Sequence, residues 1–393
     1  MLRLSNQRFV QLAIGLILFF IVALVSLNYL VDPYNFYGNN ILGTKKTQEI
    51  GQLRLSKAIN LKDKKPTGII LGTSRAEFGL DPDHAIFSKP SYNVATGGSS
   101  MYELTHYLEY AVEQGGLEQV LLVADYINFN SNEEKKVGDF ETYFAGKNTY
   151  SYLFSLATLK NSYLTWVGER QKKYTIYDDN GQREKTHNSV NLKRFGGQLK
   201  KIYSQATYFN GFDNNNHYRD TGRSSFLDFR HFLELSYKNK LKVDIIFGPN
   251  HILHWEAFDH SIGLDKWYQW KRDVVKLNEQ VAEEFNTEPF RVVDFAIYHD
   301  YTMEMLPVDK HGEMKLHWEL NHYKSELGDM VLDDLANKNT SFGVELSSDT
   351  IGAHLDLQAD LREQFVDSDV YKKRVLIDRS RGNLNDYFRF VEF

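Results

Sequence analysis

A serine and a histidine that lie far apart in the chain each have neighbours suited to acyl chemistry. Ser74 follows an apolar run and a glycine in the segment TGIILGTSR, residues 67–75. A serine on a strand-to-helix turn faces a cleft, and the N–H groups of the following helix can stabilise a developing oxyanion. The pattern makes Ser74 a candidate nucleophile, although serine after Gly-Thr is also common in ordinary turns.

The histidine is His322, which stands in the segment Glu319-Leu320-Asn321-His322. An acid three residues before a histidine lies on the same side of a helical turn. The acid can then hold one imidazole tautomer while the other ring nitrogen faces a serine. We therefore predict that His322 is the base for Ser74 and that Glu319 orients it.

Two glycines, Gly97 and Gly98, follow a second apolar segment that begins at Ser91. Glycine lets a backbone N–H approach a substrate closely, which suits an oxyanion donor. On these residues alone, a turn that needs a positive φ is the simpler explanation.

A metal site is the alternative chemistry near the histidine, because His311, His317, Glu319 and His322 are close in sequence. Helical zinc motifs place their histidines at positions i and i+4. His317 and His322 are five positions apart, which is about 140° around a helix. The chain contains no cysteine, so disulfides, thiolate catalysis and cysteine-based zinc sites are excluded. We predict no metal and no other cofactor.

Apolar strands alternate with helical segments and would position these residues. The strands are predicted within residues 67–75, 91–100, 119–127, 241–251 and 290–296. This alternation favours an α/β fold with a doubly wound, flavodoxin-like parallel sheet of about five strands. Active sites of such sheets gather at the carboxyl ends of the strands. The last core helix is predicted at 320–337, which places Glu319 and His322 at its start.

The N-terminal segment predicts a membrane anchor. Residues 12–27 read LAIGLILFFIVALVSL without a charge, and with their flanks they reach about the 20 residues that cross a bilayer core. Arg3 and Arg8 precede this run, which predicts a cytoplasmic N-terminus and a periplasmic domain on a single-pass inner-membrane protein. The alternatives are a cleaved signal peptide, which needs a small-x-small site, and a soluble helix, which would be apolar on one face only.

The predicted organisation has four parts. They are a stub and transmembrane helix at 1–31, a connecting region at 32–66, an α/β domain at 67–338 and a helical tail at 339–393. Residues 130–223 have poor periodicity, which predicts an insertion or lid. The formal net charge is −6, with basic and acidic residues interspersed, and this disfavours a nucleic-acid partner.

Several segments together resemble the SGNH (GDSL-like) hydrolase superfamily. The matching pieces are VDPYNFYG after the anchor, ILGTSRAEFGLDP around Ser74, YNVATGGSSMYE around Gly98, LLVADYINFN, IIFGPNH, VVDFA and WELNHYKSELGDMVLDDL around His322. They leave out residues 133–223 and roughly the last thirty. The membrane-anchored, extracytoplasmic branch is the most similar, with the DltD-type proteins of teichoic-acid D-alanylation and the SGNH proteins of exopolysaccharide acetylation.

The resemblance implies a role for each matching residue. It makes Ser74 the nucleophile, Gly98 an oxyanion N–H donor and His322 the base. Glu319 stands where the superfamily has aspartate. A glutamate can orient a histidine, but its longer arm changes the geometry, and Asp294 is held in reserve as the orienting acid.

The third block of the superfamily departs from its usual pattern here. The Gly-x-Asn-Asp block, whose asparagine completes the oxyanion hole, is absent, and the third strand instead leads into ADYIN, residues 124–128. Asn128 is the candidate for the missing donor. Asp125 would repel an oxyanion if ionised, and we group it with Arg75 and Gly98 as a candidate oxyanion or substrate-binding residue.

The function that these expectations favour is an acyl esterase or O-acyltransferase that acts on an acylated glycan or envelope polysaccharide. The final acceptor, water or a sugar hydroxyl, separates the two reactions. The alternative is a catalytically silent envelope-assembly protein that keeps the fold and binds glycan or partner subunits. The absent asparagine block and Glu319 favour this alternative.

Overall fold

The structure is a computed structural model. It describes residues 6–39, 41–130, 134–136, 140–144, 149–170, 175–204, 216–307, 311–337, 342–368, 376–377 and 388–389. Parts of the predicted insertion and most of the end of the predicted tail lie outside the described residues. By its internal contacts the chain divides into two compact units, one of Met1–Asn60 and Glu141–Asp178, the other of Leu61–Phe140 and Asp179–Phe393.

The chain forms helices in both units, and in the second unit the helices alternate with strands. The helices are α1 (Asn6–Val31), α2 (Leu53–Lys64), α3 (Ser74–Gly79), α4 (Met101–Gln114), α5 (Tyr126–Phe129), α6 (Tyr150–Leu153), α7 (Leu156–Arg170), α8 (Lys185–Phe195), α9 (Gln198–Ser204), α10 (Ser225–Lys238), α11 (Ile252–Ile262), α12 (Leu264–Glu284), α13 (Ser325–Asn337) and α14 (Ile351–Asp367). The strands are β1 (Gly68–Leu71), β2 (Ser91–Asn93), β3 (Gln119–Val123), β4 (Lys242–Phe247), β5 (Arg291–Asp294), β6 (Val344–Leu346), β7 (Leu376–Ile377) and β8 (Phe388–Arg389).

The first unit contains α1, which is long and apolar enough to cross a membrane. Its most apolar 18-residue window has a mean hydropathy of 2.8, and its 26 residues span about 39 Å at the rise of an α-helix. The side chains of Phe19 and Phe20 are each 65% exposed. An exposed apolar helix of this length matches a hydrocarbon core of about 30 Å.

The second unit is built on a mostly parallel sheet, so the predicted α/β class with a parallel sheet is confirmed. The strand order is β2-β1-β3-β4-β5-β6, and the first five strands pair in parallel. The order 2-1-3-4-5 is that of flavodoxin-type doubly wound sheets, whose switch point lies between β1 and β3. The residues of β1 and β3 are all buried, as strands covered on both faces require.

The sheet has one more strand than the five predicted, because β6 pairs antiparallel with β5 at the edge. The strand is three residues long, too short for a period-two pattern to reveal it. Outside this sheet, β7 and β8 form a separate antiparallel pair.

Helix α13 holds the chain next to the predicted base against the sheet. Its residues Leu327, Val331 and Leu335 recur one helical turn apart and are buried. They share a core cluster with Ile70, Leu121, Ile246 and Val293 of the four central strands. Each such aliphatic side chain contributes about 1.5–3 kcal/mol on burial, so this layer fixes the position of α13.

Two glycines allow α3 to approach α13 closely. A β-carbon built on Gly328 would lie 1.7 Å from the carbonyl oxygen of Gly79, and one built on Gly79 would lie 1.9 Å from the ring of Tyr323. Contacts this short leave no room for a larger residue at either position. The close approach brings Ser74, at the start of α3, towards His322, which precedes Tyr323.

Two predicted boundaries are wrong. The third strand ends at Val123, and residues 126–129 form the short helix α5. The backbone turns after the strand because the Asn128 side chain accepts a hydrogen bond from the Asp125 N–H, 2.8 Å away. The last core helix begins at Ser325 rather than 320. A bridge between His317 and Tyr323 holds the preceding residues in a reversal instead.

Candidate active site

Ser74 lies at the carboxyl end of β1, at the switch point of the sheet. It is the first residue of α3, and the Thr73 side chain caps the helix by accepting a hydrogen bond from the Arg75 N–H, 3.4 Å away. The Ser74 side chain is half-buried. The turn from strand to helix therefore presents one hydroxyl at the edge where the strands end.

His322 lies next to that hydroxyl. The Nε2 atom of His322 is 2.7 Å from Oγ of Ser74, and its Nδ1 atom is hydrogen-bonded to the carboxylate of Glu319. The other carboxylate oxygen of Glu319 accepts a hydrogen bond from the Asn321 N–H at 2.7 Å. In this arrangement Nδ1 carries the proton that faces Glu319, and Nε2 is left to accept the serine proton.

The acid and the histidine meet through a chain reversal, not through a helical turn. The Trp318 N–H donates to the carbonyl of His322 at 2.9 Å. The neighbouring residues His317 and Tyr323 form an antiparallel β-bridge. Glu319 and His322 thus face each other across a tight loop. The spacing of three residues predicted the contact between Glu319 and His322, but the helical turn that was expected to produce it is absent at these residues.

The ring of His322 is also fixed by stacking. It lies on the ring of Phe78 with centroids 4.5 Å apart and planes 25° apart. Phe78 follows Ser74 by four positions, one helical turn, on α3. Phe78 was not among the candidate residues, although its spacing from Ser74 places it on the same side of the helix.

Arg75 lies behind the serine in a buried network instead of facing the cleft. Its guanidinium donates to Asp125 at 2.6 Å and to the side-chain oxygen of Asn321 at 2.6 Å. A third contact joins it to Nε2 of His254 at 2.9 Å. Arg75 and Asp125 are 6% and 2% exposed. The structure therefore places neither residue as a substrate ligand, and the guanidinium ties the serine turn to the histidine loop.

The histidine in this network is neutral. Burial and the neighbouring Arg75 guanidinium hold the pKa of His254 well below its usual range. A neutral imidazole can accept a hydrogen bond from the guanidinium, so the network needs no second positive charge. Neither His254 nor Asn321 was among the candidate residues, because their partners come from segments distant in sequence.

The side chain of Asn128 is engaged within the protein. Its amide donates to the carbonyl of Ser99 at 2.6 Å, and its oxygen accepts from the Asp125 N–H at 2.8 Å. It is fully buried. These bonds join the loop after β3 to the glycine loop, and they turn the asparagine away from the role of oxyanion donor that the sequence suggested.

The glycine loop lies beside Ser74. A β-carbon built on Gly97 would lie 3.7 Å from Cβ of Ser74, and Gly98 has a φ of +68°. The positive φ of Gly98 agrees with the explanation that this glycine is needed for a turn. The short distance at Gly97 shows that the backbone of this loop lies next to the serine. A backbone donor from this loop is compatible with both observations.

A cavity of about 210 Å³ opens beside His322. Its lining residues include Phe78, Trp318, Arg183 and, from α8, Leu192 and Phe195. The Arg183 guanidinium lies 4.5 Å from the centre of the Phe78 ring and forms an ion pair with buried Glu77 at 3.4 Å. Aromatic faces and a fixed cation thus line the space next to the serine and histidine.

Part of the predicted insertion forms this wall, since α8 lies within residues 130–223. Burial, with the nearby Arg183 charge, lowers the pKa of His187 on the same helix to about 4. Poor periodicity in this region gave no sign of Arg183 or Phe195 as site residues.

The remaining candidates lie in other places. Asp294 is fully buried and accepts from Lys271 at 2.6 Å and His354 at 3.0 Å. His317 pairs with Glu304 at 3.0 Å, while His311 is exposed. Within the part of the chain that the structure describes, no three His, Asp or Glu residues are grouped to hold a metal.

A scan against protein-family models finds no family that matches the sequence. A search of curated proteins also finds no match.

Proposed function

We propose that this chain is a membrane-anchored acyl esterase or O-acyltransferase of SGNH type that acts on an acylated envelope polysaccharide. One observation carries the proposal: Oγ of Ser74 lies 2.7 Å from a ring nitrogen of His322, whose other nitrogen is bonded to Glu319. A hydroxyl, an imidazole and a carboxylate in this order form the arrangement that activates a serine nucleophile.

The reaction begins when Nε2 of His322 takes the proton of Ser74 as Oγ attacks the ester carbonyl carbon. The carbonyl electrons move to oxygen, and backbone N–H groups of Ser74 and the Gly97–Gly98 loop stabilise the oxyanion. The intermediate collapses, the His322 proton passes to the leaving alcohol, and an acyl-serine remains. Water or a sugar hydroxyl then attacks the acyl carbon while His322 takes its proton; the bond between the acyl carbon and Oγ breaks, and His322 returns the proton to Ser74.

The substrate class rests on the cavity and on the anchor. The aromatic rings of Trp318 and Phe195 in the cavity lining suit sugar rings, and the guanidinium of Arg183 suits a hydroxyl-rich or anionic glycan. Arg3 and Arg8 precede the apolar helix, which favours an extracytoplasmic position for the α/β domain. An acyl ester of an envelope polysaccharide is the substrate that fits both features.

The test is hydrolysis and transfer by the full-length protein. Acetate release from p-nitrophenyl acetate and from an O-acetylated polysaccharide is measured with and without an acceptor oligosaccharide. Ser74→Ala and His322→Gln are expected to abolish release, whereas the exposed Ser348→Ala should behave as wild type. Unchanged release from the Ser74→Ala variant would contradict the proposal.

The position of Asn128 favours a second candidate, a catalytically silent glycan-binding protein for envelope assembly. With its amide bonded to Ser99, the asparagine donates nothing to the cleft. Binding of the polysaccharide by folded protein that releases no acetate, unchanged in Ser74→Ala, would select this candidate.

A further inference from the structure

The burial pattern of α7 is the reverse of that of a helix in a water-soluble protein. Its described buried positions are all small, namely Thr158, Ser162, Thr165 and Gly168. Its exposed positions include large apolar side chains, namely Leu156 at 74%, Tyr163 at 59%, Trp166 at 41% and Leu164 at 36%. A helix surrounded by water buries its apolar face, so water is a poor environment for this one.

Helix α7 packs against the last turns of α1. The buried Asn28 of α1 donates to the carbonyls of Leu153 at 2.9 Å and Ser155 at 3.1 Å, and it accepts from the hydroxyl of Ser162 at 3.0 Å. The polar groups of Asn28 and Ser162 are therefore satisfied at this contact. Small residues and hydrogen bonds between helices are the means by which helices associate in a bilayer, where apolar side chains face lipid.

Helix α1, against which α7 packs, also exposes large apolar residues. On α1 the exposed apolar residues run from Phe9 to Leu27 and Tyr29, and beside α7 they include Tyr150 and Phe154. Tyrosine and tryptophan concentrate where a bilayer meets water. The exposed Lys160 is compatible with this position, because a lysine can extend its charge to the surface.

We propose that α6 and α7 lie in the bilayer interface at the C-terminal end of α1, with Leu156, Tyr163 and Trp166 in contact with lipid. The occupant of this face is the membrane, because the face borders the helix that is apolar enough to span it and carries interfacial aromatic residues. The membrane anchor then consists of the transmembrane helix α1 and the interfacial helix α7, which is held against α1 through Asn28.

Site-directed spin labelling tests this placement directly, because the chain has no native cysteine. Labels are attached to Leu156→Cys and Tyr163→Cys in the full-length protein, reconstituted in phosphatidylcholine–phosphatidylglycerol vesicles. Phe19→Cys on α1 is the lipid control. Leu357→Cys on α14, 53% exposed, is the control for an apolar residue that faces water. Collision of each label with oxygen, which concentrates in lipid, and with a water-soluble nickel complex is measured.

The labels at 156 and 163 are expected to lose collisions with nickel and gain collisions with oxygen relative to 357, and so to resemble 19. Nickel collisions equal to those at 357 would overturn the proposal. Shielding from both reagents would also overturn it, since a protein partner would then cover the face. A water-exposed label at 19 would remove the anchor on which the proposal rests. Far-ultraviolet circular dichroism matching wild type shows that each variant is folded.

Discussion

Replacing Arg75 with methionine should separate the stability of the domain from the alignment of Ser74 and His322. Methionine resembles the arginine stem in shape but removes the guanidinium. Asp125, 2% exposed, then keeps only the Thr73 hydroxyl among the described side chains that donate to it. Breaking a buried pair by removing one partner costs about 3–5 kcal/mol, and we expect a loss of that size in the free energy of unfolding.

The double variant Arg75→Met/Asp125→Asn should recover most of the stability, because it leaves no unpaired charge and asparagine can replace Asp125 as the N-cap of α5. It should not recover reactivity. The guanidinium also holds Asn321, at 2.6 Å from its side-chain oxygen, in the loop between Glu319 and His322. If that loop shifts by about 1 Å, the rate is expected to fall by about 10²-fold.

Urea unfolding in detergent and the rate of acylation by a fluorophosphonate measure the two effects. Arg219→Met is the control, because its ion pair with Glu134 is exposed and worth about 0–1 kcal/mol. The reasoning is refuted if Arg75→Met unfolds like this control. It is also refuted if the double variant regains both stability and wild-type acylation, since Arg75 would then have no positioning role.

Three further changes probe other parts of the account. Glu319→Gln should slow acylation by about 10²- to 10⁴-fold with little change in the urea midpoint, and a wild-type rate would argue against Glu319 as the orienting acid. Gly79→Ala should destabilise the domain by about 1–3 kcal/mol, because the new methyl group would meet the Tyr323 ring; thermal unfolding checks this, with Gly352→Ala as a control at an open helical position. Burial lowers the pKa of His251 from 6.5 in the unfolded chain to about 3 in the folded protein. Its contribution to the free energy of unfolding is therefore present above pH 6.5. It decreases at lower pH because the unfolded chain then takes up a proton that the folded protein does not bind. Between pH 7 and pH 4 the loss is about 3 kcal/mol. The side chain of His251 caps α11 by accepting a hydrogen bond from the Leu253 N–H, and His251→Asn keeps an acceptor there, so this variant should lose about 3 kcal/mol less than wild type over the same pH range; an equal loss in both proteins would show that His251 is not the cause.

The sheet and the pairing of Ser74 with His322 were accessible from sequence because each depends on local pattern. Apolar runs that end in Gly-Thr-Ser or in Asp reveal central parallel strands and their carboxyl ends. A site at those ends follows from topology without any knowledge of side-chain contacts. The acid three residues before His322 was also visible, although the local backbone is a reversal closed by the Trp318 N–H.

The roles of Arg75, Asp125 and Asn128 were not accessible, because long-range packing decides them. Arg75 meets Asn321 across 246 positions of chain, and Asn128 meets Ser99 across 29. A charged residue next to a nucleophile suggests a substrate ligand, but burial turns this one inward, where it offsets the charge of Asp125. The cavity wall from α8 was hidden for a related reason, since that helix has no strong apolar periodicity of its own.

The most direct test of the central claim is identification of the residue that a fluorophosphonate modifies. The full-length protein is treated with the probe and digested, and the adduct is located by mass spectrometry. The account predicts one adduct on Ser74, its loss in Ser74→Ala, slow formation in His322→Gln, and wild-type labelling in Ser348→Ala. A folded protein that gains no adduct, or gains it on another serine at a rate independent of His322, would contradict the account.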